Sequence, residues 1–290
     1  MTTMMQRAGM AAAMIGAGGL VGCSSTNWPP KYHETRTMVL TAPGHEVSID
    51  ADAPFGALHA AAHGHDAPRW KDLRASLPEA GAGEVAVVAI IRSDREERLA
   101  DAVLSPTWHG DTLELDVEWP KGKKRKNEGA DWIVRAPAIG SVWGNYDFGD
   151  VTIIDAQGNI DLSSDFGDVV LIEPLGWVDI DADFGDVSIE RAHRKVTIEC
   201  DFGDVDVTLT DENPGPVDIN ADFGDVTLTA GPAFTGILGL DTDFGRSRLS
   251  HEGSDTKSMS TNGTLTTRLG DGPHSSLSAD FGSVNVTIRE

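Results

Sequence analysis

"WVDIDADFGDVSIE", residues 177–190, carries the pattern from which the fold can be read. Before its glycine, Val178, Ile180, Ala182 and Phe184 alternate with Asp179, Asp181 and Asp183. After it, Val187 and Ile189 alternate with Ser188 and Glu190. A period of two is the mark of a strand with one buried face. The phase slips by one residue across Gly185-Asp186, which would turn the apolar set outward unless the chain bends there. Glycine supplies a backbone conformation that a Cβ resists. The stretch therefore reads as strand, corner, strand.

The same corner recurs on both sides. "DFGDV" starts at Asp147, Asp165, Asp183, Asp201 and Asp222, and the variants "DFGRS" and "DFGSV" start at Asp243 and Asp280. From phenylalanine to phenylalanine the gaps are 18, 18, 18, 21, 21 and 37 residues. The last gap holds "STNGTLTTR", whose Gly263 lies 18 residues after Gly245 and 19 before Gly282, which gives about eight units, one without its Phe. Extra residues collect in the loop far from the glycine, "TDENPGP" and "TAGPAFTG" against the shorter "ERAHRK". Loops that lengthen while strands keep register belong to stacked repeats. The expected fold is mainly β: a single-chain β-solenoid of about eight rungs, preceded by a small α+β capping region. Glycines 149, 167, 185, 203, 224, 245 and 282 make its corners. Phe148, Phe166, Phe184, Phe202, Phe223, Phe244 and Phe281 are expected to form an internal aromatic ladder and thus the core. Two residues before Phe the slot is mostly small (Ser164, Ala182, Cys200, Ala221, Ala279), which makes Cys200 a stand-in for alanine.

The aspartates form two files, one before each Phe and one after the first five corner glycines. Neighbouring charges at strand spacing repel by roughly 1 kcal/mol in water and by more near a protein surface. Carboxylates that accept backbone N–H bonds within their own turn would offset this. The alternative is calcium bridging adjacent units at Asp150, Asp168, Asp186, Asp204 and Asp225, although the nine-residue motif of calcium-binding rolls is missing. A single Asp-Phe-Gly could belong to a protein-kinase magnesium loop, but the other kinase motifs do not accompany it.

The chain has 290 residues and a formal net charge of -23. That balance argues against nucleic acid, which needs a basic face. At the amino terminus, "MTTMMQRAGMAAAMIGAGGLVGCSS" has one positive charge, Arg7, and then a small-residue and apolar stretch too short to span a membrane. It ends in Leu20-Val21-Gly22-Cys23, which resembles a bacterial lipobox. The expectation is a lipoprotein signal over residues 1–22, lipidation at Cys23 and a tether over 23–40. The protein would then be exported and membrane-anchored in the cell envelope, at an outer membrane if the cell has one. Acyl chains stabilise attachment by about 0.8 kcal/mol per buried methylene. Cys200 is the one remaining thiol, so no internal disulfide is expected.

Residues 41–140 read as the α+β cap and 141–290 as the solenoid. A pair of strands is expected around Val47 and Ile49, and a buried strand over "EVAVVAIIR". In "SDREERLADAVL", Ser93 and Glu96 read as a capping box, with Leu99 and Val103 on one helical face. "HAAAHGHD" gathers His59, His63, His65 and Asp66, a possible metal site or a surface loop. The basic run Lys121 to Lys126 reads as a solvated hairpin tip.

The repeated "FGDV", the region containing "SDREERLADAVL" and the "VRAP" at Val134 to Pro137 resemble the bacterial family usually named "putative adhesins", domains of unknown function with Gly-Asp-Val repeats in a β-solenoid. The resemblance covers roughly residues 41–290. It implies an adhesive role without a defined ligand or catalytic residues. Three functions remain open: an adhesin or scaffold presenting an acidic face to a protein or glycan, a calcium-stabilised module, and a polysaccharide-active enzyme. The last is disfavoured because each Asp is replicated from unit to unit, whereas acid–base catalysis needs one pair in distinct environments. No catalytic residue and no resident cofactor are expected.

Overall fold

The computed structural model describes residues 32–52, 56–63, 78–93, 95–119, 128–251 and 257–290. The leader with Cys23, residues 23–31 of the expected tether, His65, Asp66 and the run Lys121 to Lys126 lie outside the described residues, and the rest of the expected tether belongs to the strand Tyr32–Thr41, which pairs with Glu84–Ser93. The fold is mainly β, with one twelve-stranded and one eleven-stranded sheet, a two-stranded sheet and the short helix Glu96–Asp101.

Each copy of the repeat sends one strand into each large sheet. Val178–Phe184 lies in the eleven-stranded sheet and Val187–Ala192 in the twelve-stranded one. Equivalent residues of successive copies pair in parallel, Val178 with Val196, Ile180 with Ile198 and Phe184 with Phe202. The inward residues Val178, Ile180, Ala182, Val187 and Ile189 are buried and join one core that runs between the sheets. Parallel strands packed in this way bury apolar area copy after copy, at about 25 cal/mol per Å².

The phenylalanines are not in that core. Alternation holds up to Ala182 and breaks at Asp183, so Phe184 turns outward one step before the glycine and is 42% exposed. Phe166, Phe202, Phe223, Phe281 and Phe244 are exposed as well, and Phe148 is half-buried. The expectation of an internal ladder is thus corrected. The physical reason is where the phase breaks: Ala182, Cys200, Ala221 and Ala279 are the last inward positions, all buried, and the chain turns outward at the next residue, so the ring is set beside the glycine file and not between the sheets.

Val47–Asp50 and Leu58–Ala62 also behave as the two strands of one copy of the repeat. Val47–Asp50 pairs in parallel with Ile139–Tyr146, and Leu58–Ala62 with Val151–Ile154. The Gly56 amide donates to the Phe148 carbonyl (2.9 Å), as the Gly149 amide does to that of Phe166 (2.9 Å). The chain then leaves the stack and adds Gly129–Ala136, Glu84–Ser93 and Tyr32–Thr41 to one end of the twelve-stranded sheet. The helix beside these strands is capped differently from expectation. Ser93 closes its strand, Arg95 is the N-cap without a side-chain bond, and the helix ends at Asp101. Ser93 Oγ instead accepts the Arg95 amide, and Arg98 forks onto Glu128 through two buried bonds of 2.7 Å. Leu99 is buried, whereas Val103 lies beyond the helix and is exposed.

At the other end the order of copies departs from the order of sequence. His274–Phe281 and Val284–Ile288 lie between Val217–Ala230 and the pair Ile237–Thr242 and Arg246–His251. Lys257–Thr261 and Leu265–Arg268 pair antiparallel with the outer side of that last pair. "STNGTLTTR" was expected as a further unit in line; it runs the opposite way and covers the end.

Candidate functional site

The corner is built from three ladders. The glycine ladder makes the others possible. Gly149, Gly167, Gly185, Gly203 and Gly224 have φ between +142° and +158°, where a side chain is strained. Each also lies against its neighbour: a Cβ on Gly185 would sit 2.2 Å from the Gly167 carbonyl oxygen, and one on Gly224 1.9 Å from that of Gly203. Gly282 abuts Gly224 and Gly245 abuts Gly282 in the same way, so all seven corner glycines belong to one file.

The phenylalanine rings stack outside this file, in the spatial order 148, 166, 184, 202, 223, 281, 244. Centroids are 4.8–4.9 Å apart and the planes diverge by 1–11°. The strand repeat imposes that distance. Ring faces are therefore covered by other rings, and ring edges meet solvent.

The aspartates after the glycine form the third ladder. Asp150 Oδ1 accepts the Asp168 amide at 3.1 Å, Asp168 that of Asp186 at 3.0 Å, and Asp186 that of Asp204 at 2.9 Å. Asp204 accepts the Asp225 amide at 2.9 Å, and Asp225 that of Ser283 at 2.7 Å. The bonds reach the next copy rather than closing within one turn, as the sequence had suggested. Amide donors stabilise the charged form and offset part of the repulsion along the file. Among the described residues no group of three or more His, Cys, Asp or Glu is arranged to hold a metal ion. Burial lowers the pKa of both His59 and His63. Cys200 is buried, and burial, helped by Asp186, Asp201 and Asp204, pushes its thiol up to about 11, so it is protonated and inert at neutral pH.

A second acidic surface lies on the outer face of the eleven-stranded sheet and was not singled out by sequence. Asp50, Asp52, Asp161, Asp179 and Asp181 line a groove there with Trp143 and Asn145. Asp181 is held above the ordinary carboxylate range by burial and by Asp183, Asp201, Asp165 and Asp179. Asp50 is raised by burial, Asp52 and Glu114. The signal in the sequence was available: Asp161, Asp179 and Asp181 occupy the outward positions of successive copies.

No family model matches the chain, and no curated protein matches it. Solved structures do show similarity. A "putative cell adhesion protein" from Clostridium sporogenes is 10% identical with a TM-score of 0.38, over 89% of this chain and 100% of that one. A "putative adhesin" from Bacteroides fragilis is 15% identical with a TM-score of 0.33, over 90% and 98%. A "putative lipid binding protein" from Parabacteroides distasonis is 13% identical with a TM-score of 0.26, over 88% and 97%.

Proposed function

We propose that the chain is a lipid-anchored cell-envelope adhesin or scaffold, in which a β-solenoid presents an acidic, phenylalanine-edged surface to a protein or glycan partner. The solenoid has eight parallel units among the described residues, the seven of the phenylalanine ladder together with the pair Val47–Asp50 and Leu58–Ala62. The observation that carries the reading is the solvent exposure of the ring file. Soluble proteins rarely leave a contiguous apolar strip uncovered unless something binds it, and repeat stacks offer long surfaces of this kind. The lipobox at Cys23 supports anchoring. The reading contains no catalytic step.

The test is attachment of whole cells producing the chain, compared with cells producing Phe184→Ser, Phe202→Ser and Phe223→Ser together. Attachment should fall while the variant remains folded and at the cell surface. Attachment unchanged by the triple variant would overturn the role of the strip. Cys23→Ala should release the protein from the membrane fraction. The stacked carboxylates favour a second reading, a calcium-stabilised module. A melting midpoint that neither millimolar calcium nor a chelator moves would reject it.

A further inference from the structure

The ring file is an apolar strip with two charged borders. Six steps of 4.8–4.9 Å between its seven rings make it about 29 Å long. In spatial order from Phe166 to Phe244 the rings are 42–63% exposed. Asp165, Asp183, Asp201 and Asp222 precede the rings on the side of the eleven-stranded sheet. Asp168, Asp186, Asp204 and Asp225 follow the corner glycines on the side of the twelve-stranded sheet. Phe166 pairs with Phe184, Phe184 with Phe202 and Phe202 with Phe223, so both borders advance in step with the rings. Ser283 and Arg246 take the place of the second border in the last two copies, so carboxylates stand on both sides only as far as Phe223.

That arrangement narrows what can cover the strip. A small organic cation binds an aromatic side chain through its face, and a sugar stacks on the same face. Along the file each face lies against another ring at 4.8–4.9 Å, parallel to within 11°, so neither ligand gains from the stack. The rings offer their edges, which carry the positive part of the ring quadrupole and favour apolar side chains and aromatic faces. A second copy of the chain would set carboxylate borders against carboxylate borders, and an anionic membrane surface would meet the same repulsion. An extended peptide places neighbouring side chains on opposite faces, so with apolar residues on the rings its charges would point away from both borders. An α-helix carries charges along both margins of one apolar stripe. About 20 helical residues span ~30 Å, the length of the strip.

Resting on the adhesive reading of the strip, we infer that its partner is a protein and that the strip holds a basic amphipathic helix of that partner. Apolar side chains of the helix, aromatic ones among them, cover the ring edges. Lysine and arginine on its two margins meet the borders of Asp183 and Asp186 through charge-assisted bonds. Covering the rings supplies affinity, and the borders select a cationic helix over an acidic one.

The probe is a synthetic peptide of about 20 residues with leucine at helical spacing and lysine at the other positions. It is titrated calorimetrically, at about 0.15 M salt to screen diffuse attraction, into the full chain carrying Cys23→Ala, so that neither lipid nor detergent is present. Saturable binding is expected, with the peptide helical in the complex by circular dichroism. Phe184→Ser, Phe202→Ser and Phe223→Ser together should weaken it about tenfold or more. Asp183→Asn with Asp186→Asn should weaken it about threefold, and melting curves should show each variant folded. Should the triple variant not fold, the aspartate pair decides alone. Asp161→Asn with Asp206→Asn removes the same charge from the outward faces of the two sheets and should leave binding unchanged. Equal weakening by that pair, or equal binding of a shuffled peptide of the same composition, would mean diffuse attraction to net charge and overturn the inference. So would absence of saturable binding, or binding as tight by a peptide with glutamate for lysine or by one alternating leucine and lysine as a strand does. None of these results would touch the adhesive reading if cells still lost attachment with the three phenylalanines replaced. Attachment unchanged by that variant would remove the adhesive reading itself, even where the peptide binds.

Discussion

Asp186 does two opposed things at once: its carboxylate holds the amide of Asp204 at 2.9 Å, and its charge repels Asp168 and Asp204 one strand away. Asp186→Asn keeps an acceptor and removes the charge, so it should leave stability unchanged or raise it slightly. Asp186→Ala should cost about 1 kcal/mol, the worth of the lost bond. One residue earlier the constraint is steric. A Cβ at Gly185 would meet the Gly167 carbonyl at 2.2 Å with φ at +142°, so Gly185→Ala should cost about 3 kcal/mol or more. Phe184→Ala should cost only about 1–2 kcal/mol, from its two stacking contacts, rather than the 3–5 kcal/mol of a buried ring. Urea unfolding of the three alanine variants checks the order Gly185, then Phe184, then Asp186. If Phe184→Ala proved the most damaging, the outward placement of the rings would be wrong. The glycine's role was legible in the sequence. The ring's direction was not legible: period-two alternation predicts it inward, and the break in phase falls at Asp183, before the glycine that marks the corner in the sequence.

Within each copy, the element pattern was legible for a physical reason: period-two alternation fixes which face is buried, and loop growth at one site fixes where register is free. Between copies it was less so, because the partner of a strand depends on the whole stack. The 37-residue gap looked like two periods, yet Lys257–Thr261 and Leu265–Arg268 inside it pair antiparallel at the end of the stack. The sequence around Gly56 reads "PFGAL", with Pro54 and Ala57 where "DFGDV" has its two aspartates, so Val47–Asp50 and Leu58–Ala62 do not announce themselves as a copy. Ser93 looked like a helix cap, but the buried Arg98–Glu128 pair competes for its hydroxyl, at 3.3 Å from Glu128. The inserted strands His274–Phe281 and Val284–Ile288 give a prediction at this scale. A chain lacking residues 274–290 should lose amide-exchange protection across 237–251, whose parallel partners are gone, while 160–209 stays protected. Retained protection across 237–251 would contradict the pairing.

For the whole molecule, net charge and pH are coupled through a few groups. Asp50 and Asp181 have folded pKa values above the ordinary range, and so does Asp131, which is raised by burial against the lowering effect of Arg92. The folded state therefore binds these protons more tightly than the unfolded state. Stability from these groups is gained as pH falls toward about 4 and is absent near neutrality. His59 and His63 act in the other direction: their folded pKa values are lowered, so stability is lost as pH drops below about 6.5. Asp50→Asn with Asp181→Asn mimics the protonated pair. This double variant should melt above the parent at about pH 7, with the difference closing by about pH 4. A difference that grew on acidification would reverse the assignment.

The out-of-order strands also bear on how such a molecule can change length. Tandem duplication of an 18-residue unit between Phe148 and Phe223 would lengthen both sheets by one strand and leave each end as it was. Copying anything from 237 onward would break the interleaving that closes the stack. Lineages that lengthen or shorten the protein should thus do so in its middle, where neighbouring units are most alike.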